Sequence, residues 1–109
     1  MKSTIQKLDI KNPELVRSAE IAKAIGHPAR IAILKILAEK KTCICGDISD
    51  QLPLAQSTVS QHLKALKKAG LITGEVEGVK TCYCLNPEGI RELTSMLSTL
   101  SVELLETCC

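Results

Sequence analysis

Two helical patterns followed at once by two alternating segments constrain the fold of this chain more than any other feature. Residues 47–52 predict a short helix, and residues 56–69 predict a longer one whose apolar residues lie along one face. The period then changes from about 3.6 to about 2, which predicts strands over residues 71–77 and 79–85. A short helix, a turn and a longer helix form a helix-turn-helix, and a hairpin directly after it is typical of a winged helix.

The flanking segments predict three more helices. Asn12-Pro13 begins residues 12–26, and Asn86-Pro87 leads into residues 87–107; in both, Asn caps a helix and Pro fits its first turn. The segment that starts at Pro28 is strongly apolar, so we expect it to lie at the centre of an aliphatic core. In the last helix, apolar residues recur at alternating steps of three and four and form a narrow heptad seam. These residues are Ile90, Leu93, Leu97, Leu100 and Leu104.

These elements predict a mostly α fold with a small β-hairpin (α+β), in a single winged helix-turn-helix domain over residues 1–109. The helix-turn-helix occupies residues 47–69, and the wing hairpin occupies residues 71–85. We expect the terminal helices, 12–26 and 87–107, to form a homodimer interface, because a single small domain does not need a heptad seam on its last helix. The alternative is that this seam packs on the core of its own domain.

The composition excludes several classes of function. The chain has one Tyr and no Trp or Phe, whereas proteins that bind single-stranded nucleic acid need aromatic side chains on which bases stack. RNA is therefore not expected as a partner. A membrane span needs about 20 mostly apolar residues, and charged or polar clusters interrupt every such stretch. The N-terminus lacks the apolar run of a signal peptide, so we expect a cytoplasmic protein with no membrane partner.

The longer helix of the predicted helix-turn-helix carries residues suited to double-stranded DNA. Residues 56–70 include three lysines and no acidic residue, although the net charge of the chain is only +2. Hydroxyl and Gln side chains can bond base edges and Lys suits phosphate, whereas the alternative is an ordinary solvated helix face. The predicted DNA-contacting residues are Gln56, Ser57, Thr58, Ser60, Gln61, His62 and Lys64. His62, beside the core residue Leu63, is either a boundary residue or a phosphate contact.

The six cysteines of the chain form three close pairs. The pairs are Cys43 with Cys45, Cys82 with Cys84, and Cys108 with Cys109. Without an export signal, we expect reduced thiols that bind a metal or take part in redox chemistry, rather than a disulfide scaffold. Thiolates are soft ligands and suit arsenic(III), antimony(III), cadmium or lead.

Each cysteine pair has a metal-binding interpretation and a simpler one. Residues i and i+2 of a helix point about 200° apart, so Cys43 and Cys45 reach one ion only where the chain is extended or frayed; otherwise they are inert, semi-buried thiols. Cys82 and Cys84 share one face of a predicted strand, where they either bind a metal or merely replace other packing residues. The vicinal thiols of Cys108 and Cys109 at the C-terminus either bind arsenic(III) or are incidental to metal binding.

Four stretches of the chain together resemble the ArsR/SmtB family of metal-responsive repressors. They are GHPARIAIL at residues 26–34, CICGDI at 43–48, QSTVSQHLKAL at 56–66 and KAGLI at 68–72. The resemblance covers roughly residues 15–105 and implies a homodimeric winged-helix repressor that releases its operator when a metal or metalloid binds. Cys43-Ile44-Cys45 resembles the Cys-Val-Cys of the arsenic-sensing members, with Gly46 as a one-residue insertion. This implies a metal site whose further candidate thiolates are Cys82, Cys84, Cys108 and Cys109.

Three departures from the family pattern bear on function. Ala55 stands where the family often has a Ser before the recognition helix, so the cap must come from elsewhere. The predicted wing carries Glu75 and Glu77 with only Lys80, where the family usually has Arg or Lys, which leaves open whether the wing touches DNA. Residues 88–109 contain no His, so the zinc site that zinc-sensing members carry on the last helix looks absent.

The predicted function is therefore a DNA-binding repressor, not an enzyme, that needs no cofactor and is induced by arsenic(III) or antimony(III). The alternatives are a cadmium or lead sensor, or a sensor of oxidants or persulfides that links Cys43 or Cys45 to Cys108 or Cys109. A small arsenate reductase or thiol oxidoreductase is disfavoured, because the chain has no Cys-x-x-Cys, no P-loop and no Arg close to a cysteine to lower its pKa.

Overall fold

A computed structural model of the chain describes residues 8–40, 43–46, 48–78 and 80–108, with the backbone alone at positions 45 and 77. The elements in chain order are α1 (Pro13–Ile25), α2 (Pro28–Lys40), β1 (Ile44–Cys45), a 3-10 helix (Ile48–Gln51), α3 (Gln56–Lys68), β2 (Ile72–Glu77), β3 (Lys80–Leu85) and α4 (Pro87–Glu106). This order confirms the predicted winged helix-turn-helix, in which β2 and β3 form the wing. Predictions that involve the first seven residues, Asp47, Val79 or Cys109 lie outside the described residues.

Asparagine side chains begin the two terminal helices, as the sequence predicts. Oδ1 of Asn12 accepts a hydrogen bond from the backbone N–H of Glu14 at 2.8 Å, and Oδ1 of Asn86 accepts one from Glu88 at 3.3 Å. These bonds satisfy amide groups that have no partner within the first helical turn. The start of α3 lacks such a bond, because Ala55 has no side-chain oxygen.

Two local predictions need correction. The segment predicted as a helix over residues 47–52 forms only a 3-10 helix at Ile48–Gln51, because Pro53 lies directly after it and disfavours the α conformation in the preceding residue. The break predicted around Cys43 contains β1, which pairs with β3 and completes a three-stranded sheet in the order β1-β3-β2. A strand of two residues is too short to show alternation, so hydrophobic periodicity does not predict it.

The strand register determines which residues share a face of the sheet. Between β1 and β3, Ile44 lies opposite Tyr83 and Cys45 lies opposite Cys82. Ile44 and Tyr83 are partly buried against the hydrophobic core. The cysteine positions alternate with them and therefore belong to the other face of the sheet.

The described core is aliphatic, as the composition predicts. Ile33 of α2 and Leu71, directly before β2, are completely buried. Val59, Leu63 and Leu66 place one face of α3 in the same cluster. Because these three residues recur at helical spacing, they fix the rotation of α3 and turn its other face outward.

The last helix packs on the core along its first half only. Ile90 and Leu93 are partly buried against the core, whereas Leu97, Leu100 and Leu104 are 48%, 46% and 58% exposed. The radius of gyration is 16.9 Å, against roughly 13 Å for a compact chain of this length, so the molecule is elongated. No helix within the described residues combines the length and apolar character needed to cross a membrane.

Candidate nucleic-acid interface and thiol site

The outer face of α3 contains the predicted DNA-contacting residues. The exposed ones are Gln56, Ser57, Thr58, Ser60, Gln61 and Lys64. Val59 and Leu63, which alternate with them, are 2% and 5% exposed and anchor the helix. A rigid helix that presents hydroxyl, amide and ammonium groups has the chemistry needed to read a major groove.

His62 differs from the other predicted contacts, because its ring is partly buried against the start of α2. Nδ1 of His62 accepts a hydrogen bond from Nε of Arg30 at 3.0 Å, and the ring centroid lies 4.4 Å from that of His27. His27 in turn caps α2, since its Nδ1 accepts from the backbone N–H of Ala29 at 3.0 Å. These contacts favour the interpretation of His62 as a boundary residue that fixes α3 against α2.

We expect acid to loosen this junction through His62. Burial lowers the pKa of His62 below its ordinary value, and the charges of His27 and Arg30 lower it further. The stability that neutral His62 contributes is therefore present above its unfolded pKa of about 6.5 and is lost as the pH falls through the lower folded pKa. Loss of one hydrogen bond costs about 1 kcal/mol, or about 4–8 °C of melting temperature in a domain of this size. Thermal melts at about pH 7.5 and about pH 5.5 measure the effect.

His62→Gln is the matched control for the acid effect. Its amide oxygen can still accept the Arg30 hydrogen bond, but the side chain does not titrate. At equal protein concentration, the variant should lose less melting temperature between the two pH values than the wild type. Equal losses in both proteins would show that His62 is not the source of the acid sensitivity.

The wing lies beside α3 and carries few described cations. Glu75 is exposed on β2, and Gly78 turns the chain with a φ of 64°. Lys80, exposed on β3, lines a groove of about 350 Å³ together with Gln56 and Ser60 of α3. This groove therefore places Lys80, a cation of the wing, beside the reading helix.

Two of the three cysteine pairs meet in the sheet. Cys43, directly before β1, forms a disulfide with Cys84 of β3, and their Cα atoms lie 4.4 Å apart. Cys82 is 8% exposed and is also disulfide-bonded, and Cys45 lies opposite it in the strand pairing. The extended backbone of β1 is the condition under which positions 43 and 45 face the same side.

The disulfide corrects one expectation and leaves another untested. The sequence predicts reduced thiols, whereas strand pairing brings Cys43 and Cys84 together and the structure joins them. The redox alternative, which pairs Cys43 or Cys45 with Cys108 or Cys109, stays a prediction; Cys108 is free and exposed just beyond the end of α4. Among the side chains that the structure describes, no group of three or more His, Cys, Asp or Glu is arranged to hold a metal ion.

Arg17 joins the terminal helices to each other and to the end of α3. Its Nε and Nη2 donate to the two carboxylate oxygens of Glu92 at 2.7 and 2.9 Å, and Nη2 also donates to the carbonyl oxygen of Ala69 at 2.7 Å. The hydrogen bonds from Arg17 lower the pKa of the Glu92 carboxyl. Sequence reasoning missed Arg17 and Arg30, because nothing in the pattern distinguishes them from solvated cations.

A groove of about 630 Å³ runs between α1 and α4. Apolar side chains that include Leu15, Ile21 and Leu100 line it, with Glu92 and Glu103 among its polar residues. Leu15 is 44% exposed on α1, so the apolar surface of α4 continues onto the first helix. Contiguous exposed apolar surface of this kind is typical of a protein–protein interface.

The sequence is similar to those of known transcriptional regulators. Residues 27–73 match the family described as bacterial regulatory protein, arsR family. The chain is 40% identical over 85 residues to an uncharacterized HTH-type transcriptional regulator of Methanocaldococcus jannaschii, with 77% of this chain and 94% of that protein covered. It is 38% identical over 90 residues to the arsenical resistance operon repressor of Bacillus subtilis, with 81% and 85% covered.

A solved structure shares the fold. The homodimeric winged helix-turn-helix DNA-binding domain from Mycobacterium bovis matches with a TM-score of 0.67 and 26% sequence identity, and the match covers 97% of each chain. This likeness confirms the winged helix-turn-helix that the element order indicates. The chain therefore belongs to the ArsR family of winged helix-turn-helix transcriptional regulators.

Proposed function

We propose that the protein is a cytoplasmic, homodimeric repressor that binds double-stranded operator DNA and releases it when trivalent arsenic or antimony binds the thiolates of Cys43 and Cys45. The observation that carries the inducer site is the extended backbone of β1, directly before the helix-turn-helix. Cadmium and lead are the alternative soft ions for the same thiolates.

DNA binding rests on the exposed face of α3. In a two-fold dimer, two copies of this helix would enter successive major grooves, about 34–36 Å apart. Gln56, Ser60 and Gln61 offer amide and hydroxyl groups to base edges, and Lys64 offers a positive charge to phosphate. The Bacillus subtilis relative is named as an operon repressor, which supports the same role here.

The dimer rests on the terminal helices. The exposed leucines of α4 and the adjoining surface of α1 would be buried against a second copy, which explains why an elongated monomer leaves them uncovered. The Mycobacterium bovis domain with the same fold is described as homodimeric, which supports this assembly.

The inducer follows from the chemistry and position of the thiols. Thiolates favour soft ions, and residues 88–109 contain no His for a harder site on α4. One relative is named for arsenical resistance, which supports arsenic among the soft ions. From Cys43, the chain passes through Gly46 and the 3-10 helix to α3, so an ion that moves β1 can shift the reading helix.

Fluorescence anisotropy of the reduced protein on its own upstream DNA, titrated with arsenite at fixed salt, tests this function. We expect wild-type protein to leave the DNA near equimolar arsenite. The variant that combines Cys43→Ser with Cys45→Ser should bind DNA as tightly as wild type and stay bound, because it loses two thiolates but no reading residue. Cys108→Ser should behave as wild type, because it removes a free thiol but leaves both thiolates of the proposed site, Cys43 and Cys45, in place.

Two outcomes would contradict the proposal in different ways. Release of the double-serine variant by arsenite would place the inducer on other thiols. Wild-type binding that ignores arsenite would exclude arsenic as the inducer, and the same titration would then be repeated with cadmium, lead and peroxide.

The Cys43–Cys84 disulfide favours a second candidate function, a repressor that senses oxidants or persulfides. Hydrogen peroxide would oxidise the two thiols to the disulfide and be reduced to two molecules of water, which take up the two thiol protons. The disulfide would then tie β1 to the wing. In this case peroxide rather than arsenite would release DNA, and dithiothreitol would restore binding.

A further inference from the structure

We infer that wing strand β3 supplies the third thiolate of the arsenic site, from Cys84 or Cys82, so that the bound ion bridges β1 and the wing. This inference rests on the proposed function and deepens it, since it names ligands from a second element. The observation that carries it is the pairing of β1 with β3, which brings two Cys-x-Cys segments side by side.

The strand register places four cysteine positions on the same face of two neighbouring strands. Cys45 lies opposite Cys82, and Cys43, one step beyond the Ile44–Tyr83 pair, is joined to Cys84. Ile44 and Tyr83 face the core, which leaves the other face of the sheet to the cysteine positions.

Distances across this face suit a single small ion. The Cα atoms of Cys43 and Cys84 are 4.4 Å apart, and positions two apart along a strand are about 6.7 Å apart. Paired side chains on opposite strands have Cβ atoms about 4.5–5.5 Å apart. A cysteine on β3 is therefore at least as close to Cys43 as position 45 on β1 is. The pairing of the two extended strands brings these positions together, so no helix has to be distorted.

The chemistry requires three thiols and no change of oxidation state. Arsenite, As(OH)₃, reacts with three thiols to form three As–S bonds, and each thiol proton leaves with one hydroxyl as water. The Cys43–Cys84 disulfide and the disulfide of Cys82 must first be reduced, for example by a phosphine, which for each disulfide takes up one oxygen from water and returns two thiols. The oxidised protein should therefore bind arsenite weakly, and the reduced protein tightly.

The exposure of the thiols gives the ion a route into the site. Cys43 is exposed, Cys84 is partly buried and Cys82 is 8% exposed. An arsenical can therefore react first at Cys43 and then exchange its remaining hydroxyls for thiols of the sheet. Once three bonds have formed, β1 and β3 can no longer separate, and the wing is held against the segment that leads to α3.

Two arsenicals that differ in their number of thiol bonds test the inference by calorimetric titration of phosphine-reduced protein without oxygen. Arsenite takes three thiols, whereas phenylarsine oxide takes two. The variant that combines Cys82→Ser with Cys84→Ser should bind arsenite about 100-fold or more weakly, because it loses an intramolecular third ligand. It should bind phenylarsine oxide as wild type does, through Cys43 and Cys45. Cys108→Ser is the matched control and should bind both as wild type.

The outcomes separate this inference from the proposed function. Arsenite binding by the Cys82/Cys84 variant at wild-type affinity would overturn the inference and leave the Cys43/Cys45 sensor intact. Loss of both arsenicals in this variant would also overturn it, because the wing cysteines would then only support β1. Failure of wild-type protein to bind arsenite would overturn the proposed inducer itself. Cys82→Ser and Cys84→Ser alone show which sulfur is used, and each keeps the test available if the double variant does not fold.

Discussion

Replacing Leu100 by glutamate should convert the proposed dimer into monomers and abolish the proposed operator binding at concentrations where wild-type protein binds fully. Leu100 is 46% exposed on α4 and lines the groove that also contains Glu92 and Glu103. In a single chain the new carboxylate can reach water, so the fold should keep its stability. In a dimer it would be buried near these two acidic residues, and Arg17, which also lines the groove, already donates to both carboxylate oxygens of Glu92.

The expected size of this effect follows from the cost of a buried charge. An uncompensated charge in an interface costs about 3–5 kcal/mol, and each 1.4 kcal/mol is about a tenfold change in affinity. Dimerisation should therefore weaken about 100-fold or more. Operator binding falls as well, because a monomer loses the gain of about 10²–10⁴ that simultaneous contact with two half-sites provides.

Ser98→Glu is the matched control, because it adds the same charge to an exposed position of α4 that does not line the groove. Sedimentation velocity should show a monomer for the Leu100 variant and a dimer for wild type and for the Ser98 variant. Circular dichroism should show the same helix content in all three proteins. A Leu100→Glu protein that remains dimeric would show that the interface does not include this part of α4.

The sequence predicted those parts of the fold that depend on neighbouring residues. Asn12 and Asn86 cap their helices through contacts two residues away, so the Asn-Pro dipeptides are sufficient to locate both starts. The reading face of α3 was equally predictable, because Val59 and Leu63 fix its rotation by their helical spacing. Both inferences need no knowledge of distant contacts.

Long-range pairings could not be predicted in this way. The disulfide between Cys43 and Cys84 joins positions separated by 41 residues. The strand β1, whose pairing with β3 brings these two positions together, is only two residues long. The bond from Arg30 to His62 likewise depends on how α2 packs on α3. One signal in the sequence could have indicated the sheet: Cys-x-Cys occurs both before the helix-turn-helix and in the second wing strand, and equal spacing of this kind suits paired strands.

Arginine side chains restrain the end and the middle of α3, whereas its start has no side-chain cap, and this difference bears on the proposed switch. Arg17 binds the carbonyl oxygen of Ala69 at the end of the helix, and Arg30 holds His62 near its middle. The start has no side-chain cap at Ala55, and such a cap is worth about 1 kcal/mol. The least restrained end of the reading helix is therefore the end that follows the thiol site, where a movement of β1 is resisted least.

Replacing Gly89 by alanine should lower the stability of the protein by about 1–3 kcal/mol. Gly89 is a buried residue in the first turn of α4, and a Cβ atom there would overlap the carbonyl oxygen of Gly70. That oxygen accepts a hydrogen bond from Nδ2 of Asn86 at 2.8 Å, and Gly70 itself has a φ of 84°. The contact is with backbone on both sides, so neither partner can move aside as a flexible side chain would.

Three effects decide the sign of this change. Alanine favours a helix over glycine by about 1 kcal/mol, whereas overpacking costs about 1–3 kcal/mol and loss of the Asn86 hydrogen bond costs about 1 kcal/mol more. The unfavourable effects are larger, because α4 must move away from the turn that joins α3 to β2. Urea titration at fixed protein concentration should show an earlier midpoint with an unchanged slope.

Ser98→Ala controls for helix propensity, because it makes the same helix more favourable at an exposed position without adding a contact. It should leave stability unchanged or raise it slightly, while Gly89→Ala lowers it. If both variants were as stable as wild type, α4 would not rest on the Gly70 carbonyl. Asn86 and Gly89 join the first turn of α4 to the helix-turn-helix. In that case these contacts would not fix the orientation of α4, and with it the position of its exposed leucines relative to α1.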